Sequence, residues 1–280
     1  MLLHRYLGSY AFETLKEAKL KTARLSSFND PFEFLFRTIG EMTAKKAREY
    51  IDSRRNDLAF LNLAAQHIPG LFVDKKANKV LERKLPQMRA WIVANSERLR
   101  QMPIENRERI SDKTLRVICF SEAMVDLLDE IVLWSHYAQK HIGVRIGFEF
   151  PSEKKRFEIF KVDYRESQLE VDISTGITDG TLGNVLFECA KTKSLAWRYE
   201  HEHRLLTTPK YCEPKIMPDG TTEHFLDFSR AWVKSVDFGV RCPQAEIQRI
   251  TTLLKADYPH VVFRKADYHK SEYALEYKEI

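Results

Sequence analysis

The chain has 280 residues, of which 44% are hydrophobic and 30% charged, and its net charge is +5. That length can bury a full core and suits one large domain, or one domain with an insertion. No run of about 18 apolar residues occurs, which excludes a membrane-spanning helix. Leu2 to Tyr6 reads as a short strand, and residues 10–19 as a helix with Phe12, Leu15 and Lys19 on one face. In LSSFNDPFEF, residues 25–34, the Ser, Asn, Asp and Pro cluster marks a turn, with Asn29 and Asp30 able to accept backbone N–H bonds. Residues 41–111 change texture: Ala, Lys, Arg, Glu and Leu recur at helical spacing. Pro69-Gly70 and Pro103 divide them into about three helices. Residues 41–113 are therefore expected to be a helical, basic insertion, with 16 Lys+Arg against 10 Asp+Glu. The flanking segments, 1–40 and 114–280, are expected to form one core.

From Leu115 the β texture returns. LRVICFSE reads as a strand ending at Phe120-Ser121-Glu122, and DLLDEIVLWSHYAQKH as a helix. GVRIGFEF and FEIFKVDYR read as two further strands. Residues 183–196 read as a helix, HFLDFS and AWVKSVDFGV as strands, QAEIQRITTLLKADY as an amphipathic helix, and HVVFRKADYH as a last strand. Strands carrying helices at intervals, with few strict β-α-β repeats, predict an α+β fold. Cys119, Cys189, Cys212 and Cys242 stand far apart and form no C-x-x-C pair, so neither a zinc knuckle nor a redox motif is indicated. Free thiols, together with an N-terminus that lacks the layout of a secretion signal, lead to the expectation of a cytoplasmic protein.

WRYEHEHRLL, residues 197–206, holds the densest chemistry. Read as a strand, it lines Glu200, Glu202 and Arg204 along one face and Trp197, Tyr199, His201 and His203 along the other. Carboxylates about 6–7 Å apart on one face raise each other's cost of ionising, and Arg204 is the nearest counter-charge. Such a pair suits a site that stabilises developing positive charge, or equally a solvated ion-paired strand face. Ser121 sits at a strand end, where side chains face a crevice. Trp134 and Tyr137 share a helix face beside His136 and could stack a flat ring or pack in a core. In the first strand, only one of His4 and Arg5 can point into any one site, with Tyr6 next to them.

The order LHRY, SSFNDPFE, ICFSE, LWSHYAQKHIGVRIGFEF, WRYEHEHRL and DFGVRC resembles a widespread bacterial family catalogued only as a domain of unknown function. That resemblance covers residues 1–40 and 115–280. Members are often associated with phage defence and mobile elements. More distantly, the chain resembles ADP-ribosyltransferases, which implies a split β-sheet core around an NAD cleft. It further implies His4 or Arg5 on the ribose or phosphate side, Ser121 or Tyr137 from the middle motif, and Glu200-His201-Glu202 as the acidic motif. The match departs from that superfamily in two ways: the acidic motif reads as mid-strand, and the middle motif is not a clean S-T-S.

The resemblance implies an NAD-using ADP-ribosyltransferase-like toxin or defence enzyme. Glu202 would be the catalytic carboxylate, with Glu200 aiding the acceptor and Arg204 pairing nearby. NAD would be held by His4, Arg5, Tyr6, Asn29, Asp30, Ser121, Trp134, His136 and Tyr137. The acceptor would be a macromolecule, with nucleic acid the candidate because of the basic insertion, and an antitoxin or regulatory protein is a further candidate partner. Two rivals stand beside this reading. One is a non-enzymatic module of a defence system that recognises nucleic acid or protein. The other is a metal-dependent nuclease using Asp30, Glu33, Glu122, Glu200 and Glu202. The ten glycines form neither G-x-G-x-x-G nor a P-loop, which argues against a Rossmann enzyme or a Walker ATPase.

Overall fold

A computed structural model describes residues 1–71, 77–102, 109–110, 112–123, 126–151, 158–175 and 179–280. The Pro103 helix break lies outside the described residues. The strands are β1 (Leu2–Leu7), β2 (Lys19–Lys21), β3 (Phe36–Ile39), β4 (Arg116–Glu122), β5 (Val144–Glu149), β6 (Glu158–Lys161), β7 (Asp163–Arg165), β8 (Leu169–Asp172), β9 (Thr192–Ser194), β10 (Glu202–Thr207), β11 (Glu213–Ile216), β12 (Thr222–Asp227), β13 (Val233–Phe238), β14 (Val262–Tyr268) and β15 (Leu275–Glu279). The helices are α1 (Ala11–Glu17), α2 (Ala44–Ser53), α3 (Leu58–His67), α4 (Ala77–Arg100), α5 (Leu127–Tyr137), α6 (Asp179–Ala190) and α7 (Gln244–Leu254). The α+β class holds. The helix expected over 183–196 ends at Ala190, because Thr192–Ser194 turns into a strand. FEIFKVDYR is two strands rather than one, parted at Val162, whose N–H bonds the Glu202 carbonyl.

The chain divides into two compact units. One comprises Met1–Pro31, Ile110–Tyr164 and Lys193–Ile280; the other comprises Phe32–Arg109 and Arg165–Thr192. In the second unit Thr43 caps α2 by accepting from Lys46 N–H, and Asp57 caps α3 by accepting from Ala59 and Phe60 N–H. Ile51, Phe60, Leu61, Leu81, Leu85, Met88 and Ile92 bury its apolar stripes in a core of its own. β3 and β8 pair there as a short parallel ladder.

The first unit is built on an eight-stranded sheet, in the order β15-β14-β13-β5-β1-β4-β10-β6, with a three-stranded sheet β11-β12-β2 beside it. Among these eight strands the parallel pair is β13 and β14, joined through α7. Residues opposite each other across a ladder share a face, so the registers sort the side chains. Leu3, Ile118, Phe120, Ile146, Phe148, Leu205, Val236 and Phe263 fall on one face. They pack with Phe12 and Leu15 of α1 and with Ile247, Ile250 and Leu254 of α7.

The other face runs Arg264, Asp237, Arg145 and Tyr6, then His4, Ser121, Cys119, Glu202 and Arg204. α5 lies over it through Leu133 and Trp134, which pack on Tyr6. A row of charge on a buried sheet face is tolerated only if its members pair with one another.

Candidate functional site

The stretch 197–206 is not one strand. Ser194 Oγ accepts the Ala196 N–H at 3.4 Å and starts a 3₁₀ turn over Leu195–Glu200. His201 then takes the left-handed conformation, φ 44°, its N–H bonded to the Arg198 carbonyl at 3.2 Å, and β10 begins at Glu202. The alternation of rings and charges imitated a period of two, but a serine cap and i→i+3 bonds won locally. As a result Trp197, Tyr199, His201 and His203 do not line one strand face. His201 Nε2 lies 3.1 Å from Asp129 Oδ2, and His203 points to the same side as Phe120.

The turn nevertheless brings Glu200 to Glu202 across a lysine. Lys193 Nζ donates to Glu200 Oε2 at 2.6 Å and to Glu202 Oε2 at 3.1 Å. Arg204 grips Glu202 with two donors, Nε to Oε1 at 2.8 Å and Nη2 to Oε2 at 3.0 Å. Tyr137 Oη donates to Glu200 Oε1, and the Glu202 N–H bonds the Tyr164 hydroxyl at 2.8 Å. Arg204 is fully buried, and its guanidinium also lies over the Phe28 ring at 5.1 Å. Two carboxylates thus face two cations in a buried patch.

Their environments differ. Burial pushes the Glu200 carboxyl up, against the pull of Lys193, while burial of Glu202 is overcome by Arg204 and Lys193, which hold it down to about 2. Neighbouring carboxyls pulled apart in this way are the usual arrangement for dividing a proton-handling role from a fixed-charge role. Burial, reinforced by the Glu200 charge, pushes the Tyr137 hydroxyl up, so Tyr137 stays a donor.

A cavity of about 180 Å³ opens on this patch. Glu200, Glu202, Lys193, Tyr137, Ser121 and His4 line it, and Tyr6, Arg5, Asn29, Phe28, Cys119 and Leu133 also reach it. His4 is buried, its Nδ1 has no hydrogen-bond partner among the described residues, and burial followed by the nearby Arg145 and Arg264 lowers its pKa to about 2. It is a neutral imidazole at the cavity wall. Ser121 Oγ donates to the His4 carbonyl at 3.4 Å.

Other foreseen residues are placed differently. The Arg5 side chain belongs to the opposite face. Its Nη1 and Nη2 bond the Cys119 and Lys21 carbonyls at 3.2 and 3.0 Å, and it lies over Phe120. Trp134 is fully buried. It meets Tyr6 edge-on at 5.3 Å and donates Nε1–H to the Tyr277 hydroxyl at 2.9 Å, so it is core and cannot stack a ligand. His136 is exposed and bonds the Tyr199 hydroxyl. Asp30 is buried and Asn29 exposed at the cavity. Glu122 pairs with Lys161 at 2.7 Å. Among the described residues no group of three or more His, Cys, Asp or Glu side chains is gathered to hold a metal.

Sequence reading missed Lys193, and the signal for it is physical: two buried carboxylates need more than one cation. It also missed the network that seats α5. Arg145 bonds Glu130, and its Nε reaches Asp237 Oδ2 at 2.8 Å; Asp237 in turn accepts from Arg264 Nε at 2.6 Å. The Tyr277 hydroxyl donates to Glu130 at 2.8 Å. Nothing in residue spacing ties the C-terminal Tyr277 to a helix 140 positions earlier.

No helix among the described residues is long and apolar enough to cross a membrane. No curated protein matches the chain. No solved structure matches it either. Residues 133–205, which carry Tyr137, Lys193, Glu200, Glu202 and Arg204, match the model of a family described as Protein of unknown function (DUF2971), and over that segment the chain is similar to a domain-of-unknown-function family.

Proposed function

We propose that this protein is an ADP-ribosyltransferase-like enzyme that transfers ADP-ribose from NAD to a macromolecule, in the setting of a toxin or of defence against phage. The observation that carries the reading is the meeting of His4, Ser121, Tyr137, Glu200 and Glu202 on one cavity, with burial raising the Glu200 carboxyl while Arg204 and Lys193 lower that of Glu202. The cavity is small against a whole-ligand pocket of several hundred Å³, which supports its holding one end of NAD, and we assign it to the nicotinamide-ribose end. In the reaction NAD supplies a ribose C1′ whose bond to the nicotinamide nitrogen breaks, the electron pair leaving with neutral nicotinamide. The acceptor atom bonds C1′, and its proton passes to Glu200.

The residues divide the work. Glu202, already neutralised by Arg204 and Lys193, is a fixed anion that shapes the field and orients Lys193. Glu200, held by one point charge and one phenol, is the carboxylate that can oppose positive charge on the ribose and then take a proton. We therefore assign the catalytic carboxylate to Glu200 rather than to Glu202. Tyr137 sets the orientation of Glu200, and neutral His4 offers a hydrogen bond without repelling a cationic ring.

The test is nicotinamide release and ADP-ribose labelling with NAD and separate RNA, DNA and protein fractions. Wild type should label one fraction. Glu200→Gln should lose about 10²–10⁴ in rate with little change in NAD affinity. The non-enzymatic rival, in which the same charges are a structural ion network, predicts no release with any fraction. Release that survives in Glu200→Gln would remove Glu200 from the chemistry.

A further inference from the structure

The walls of the cavity continue outward into a run of aromatic rings. Tyr137 meets His136 edge-on with ring centres 6.1 Å apart, and His136 meets Tyr199 at 6.0 Å. Tyr199 meets Trp197 at 6.0 Å, and Lys193 Nζ lies 5.0 Å from the Trp197 ring centre. Tyr137, Lys193 and Glu200 belong to the cavity, so the ring series ends at the carboxylate itself. His136 and Arg198 are exposed, and Trp197 and Tyr199 are half-buried.

We propose that this aromatic shelf binds single-stranded nucleic acid, stacking unpaired bases on Trp197, Tyr199 and His136 and carrying the strand to Glu200. The proposal rests on the reading of the cavity as an ADP-ribose transfer site, and it names the acceptor class. The rings are set edge to face or tilted, with His136 exposed and Trp197 and Tyr199 half-buried, so they form an open aromatic surface rather than a closed pocket, and base–aromatic stacking tolerates any sequence. Arg198, exposed between Trp197 and Tyr199 in the chain, can meet a phosphate. A duplex hides the faces of its bases, so an intact double helix is a poor occupant. A protein segment would seek apolar contact, whereas Lys193 lies over the Trp197 ring, Glu200 bonds the Tyr137 hydroxyl, and Arg198 is exposed between Trp197 and Tyr199 in the chain.

Fluorescence anisotropy with short labelled DNA and RNA oligonucleotides, single-stranded and duplex, tests this at low salt and without NAD. Single strands should bind more tightly than duplex, and the stronger of the DNA and RNA arms identifies the natural strand. Trp197→Ala should weaken binding roughly tenfold to hundredfold. Arg198→Glu, at an exposed position that disturbs no packing, should weaken it and flatten its salt dependence, which keeps the test valid if Trp197→Ala does not fold. Failure of wild type to bind single strands, or unchanged affinity in the folded variants, overturns the shelf. Because NAD is absent, the two readings separate. Ring-dependent binding without any nicotinamide release leaves the shelf standing and removes the transferase. Nicotinamide release with ring-independent binding does the reverse.

Discussion

Glu200 and Glu202 differ by two positions and by the company they keep. Bidentate Arg204 and Lys193 compensate Glu202 in a site that is 3% exposed, so removing its charge takes from buried Arg204 its bidentate carboxylate and from Lys193 one of the two carboxylates it bonds. Glu202→Gln should lose about 3–5 kcal/mol in urea unfolding, the usual effect of breaking a buried pair. Glu200→Gln, at a carboxyl already pushed towards its neutral form, should lose less than half of that, so the two variants separate stability from chemistry. The pH dependence has a definite sign. Glu202 falls from the ordinary 4.5 to about 2 in the folded state. Its contribution is therefore complete above about 4.5 and is lost as pH falls towards 2. Wild type and Glu202→Gln should differ most near neutrality and converge on acidification, which thermal melts at stepped pH will show. Glu200 acts in the opposite sense, since its raised carboxyl detracts from stability once pH climbs through its folded value.

At the scale of elements, α5 decides where Tyr137 sits. Its inward side is tied at Glu130 to Arg145 and Tyr277, and at Trp134 to Tyr277 and the Tyr6 ring. Tyr277→Phe deletes one hydroxyl that serves both Trp134 and Glu130. It should destabilise by about 1–3 kcal/mol and speed amide exchange across Leu127–Tyr137. The loop after α5 is strained: Gln139, Lys140 and His141 all have positive φ, 48°, 55° and 70°. Left-handed backbone is unfavourable for residues with a Cβ and is neutral for glycine. Lys140 is exposed, so Lys140→Gly should raise the melting temperature, by up to about 1 kcal/mol in stability. His141 is less replaceable, because its ring stacks on Trp134 at 6.2 Å and its Nε2 lies 3.0 Å from Ser135 Oγ.

Across the whole first unit, one sheet separates two kinds of interior. The apolar face meets α1 and α7, with Phe148 fully buried among Phe120, Phe150 and Phe228. Phe148→Ala should lose about 3–5 kcal/mol in denaturant unfolding. The polar face has α5 over it, and its members neutralise one another in two groups, around Arg145–Asp237 and around Lys193–Glu202. His4, whose Nδ1 has no hydrogen-bond partner among the described residues, lies on β1 between these groups in strand order, at the cavity wall. A large apolar layer on one side makes a charged layer on the other affordable.

The residues by themselves determined the α+β class, a helix within 10–19, helical texture from residue 41, an amphipathic helix beginning at Gln244, and the strands around Ser121, Val144 and Val236, because hydrophobic periodicity is local. Local order also marks 197–206 as unusual, through its density of rings and charge. Its conformation was not legible there: a capped 3₁₀ turn and a left-handed His201 leave nearly the same alternation as a strand. The tertiary structure alone decided that the His4 rather than the Arg5 side chain shares a sheet face with Glu202, since strand parity is set by the register of β1 against β4 and of β4 against β10. It alone supplied Lys193 and Tyr277 as partners, and buried Trp134. Those outcomes depend on which distant segments meet. A buried charge finds its counter-charge through space, while the sequence records only distance along the chain.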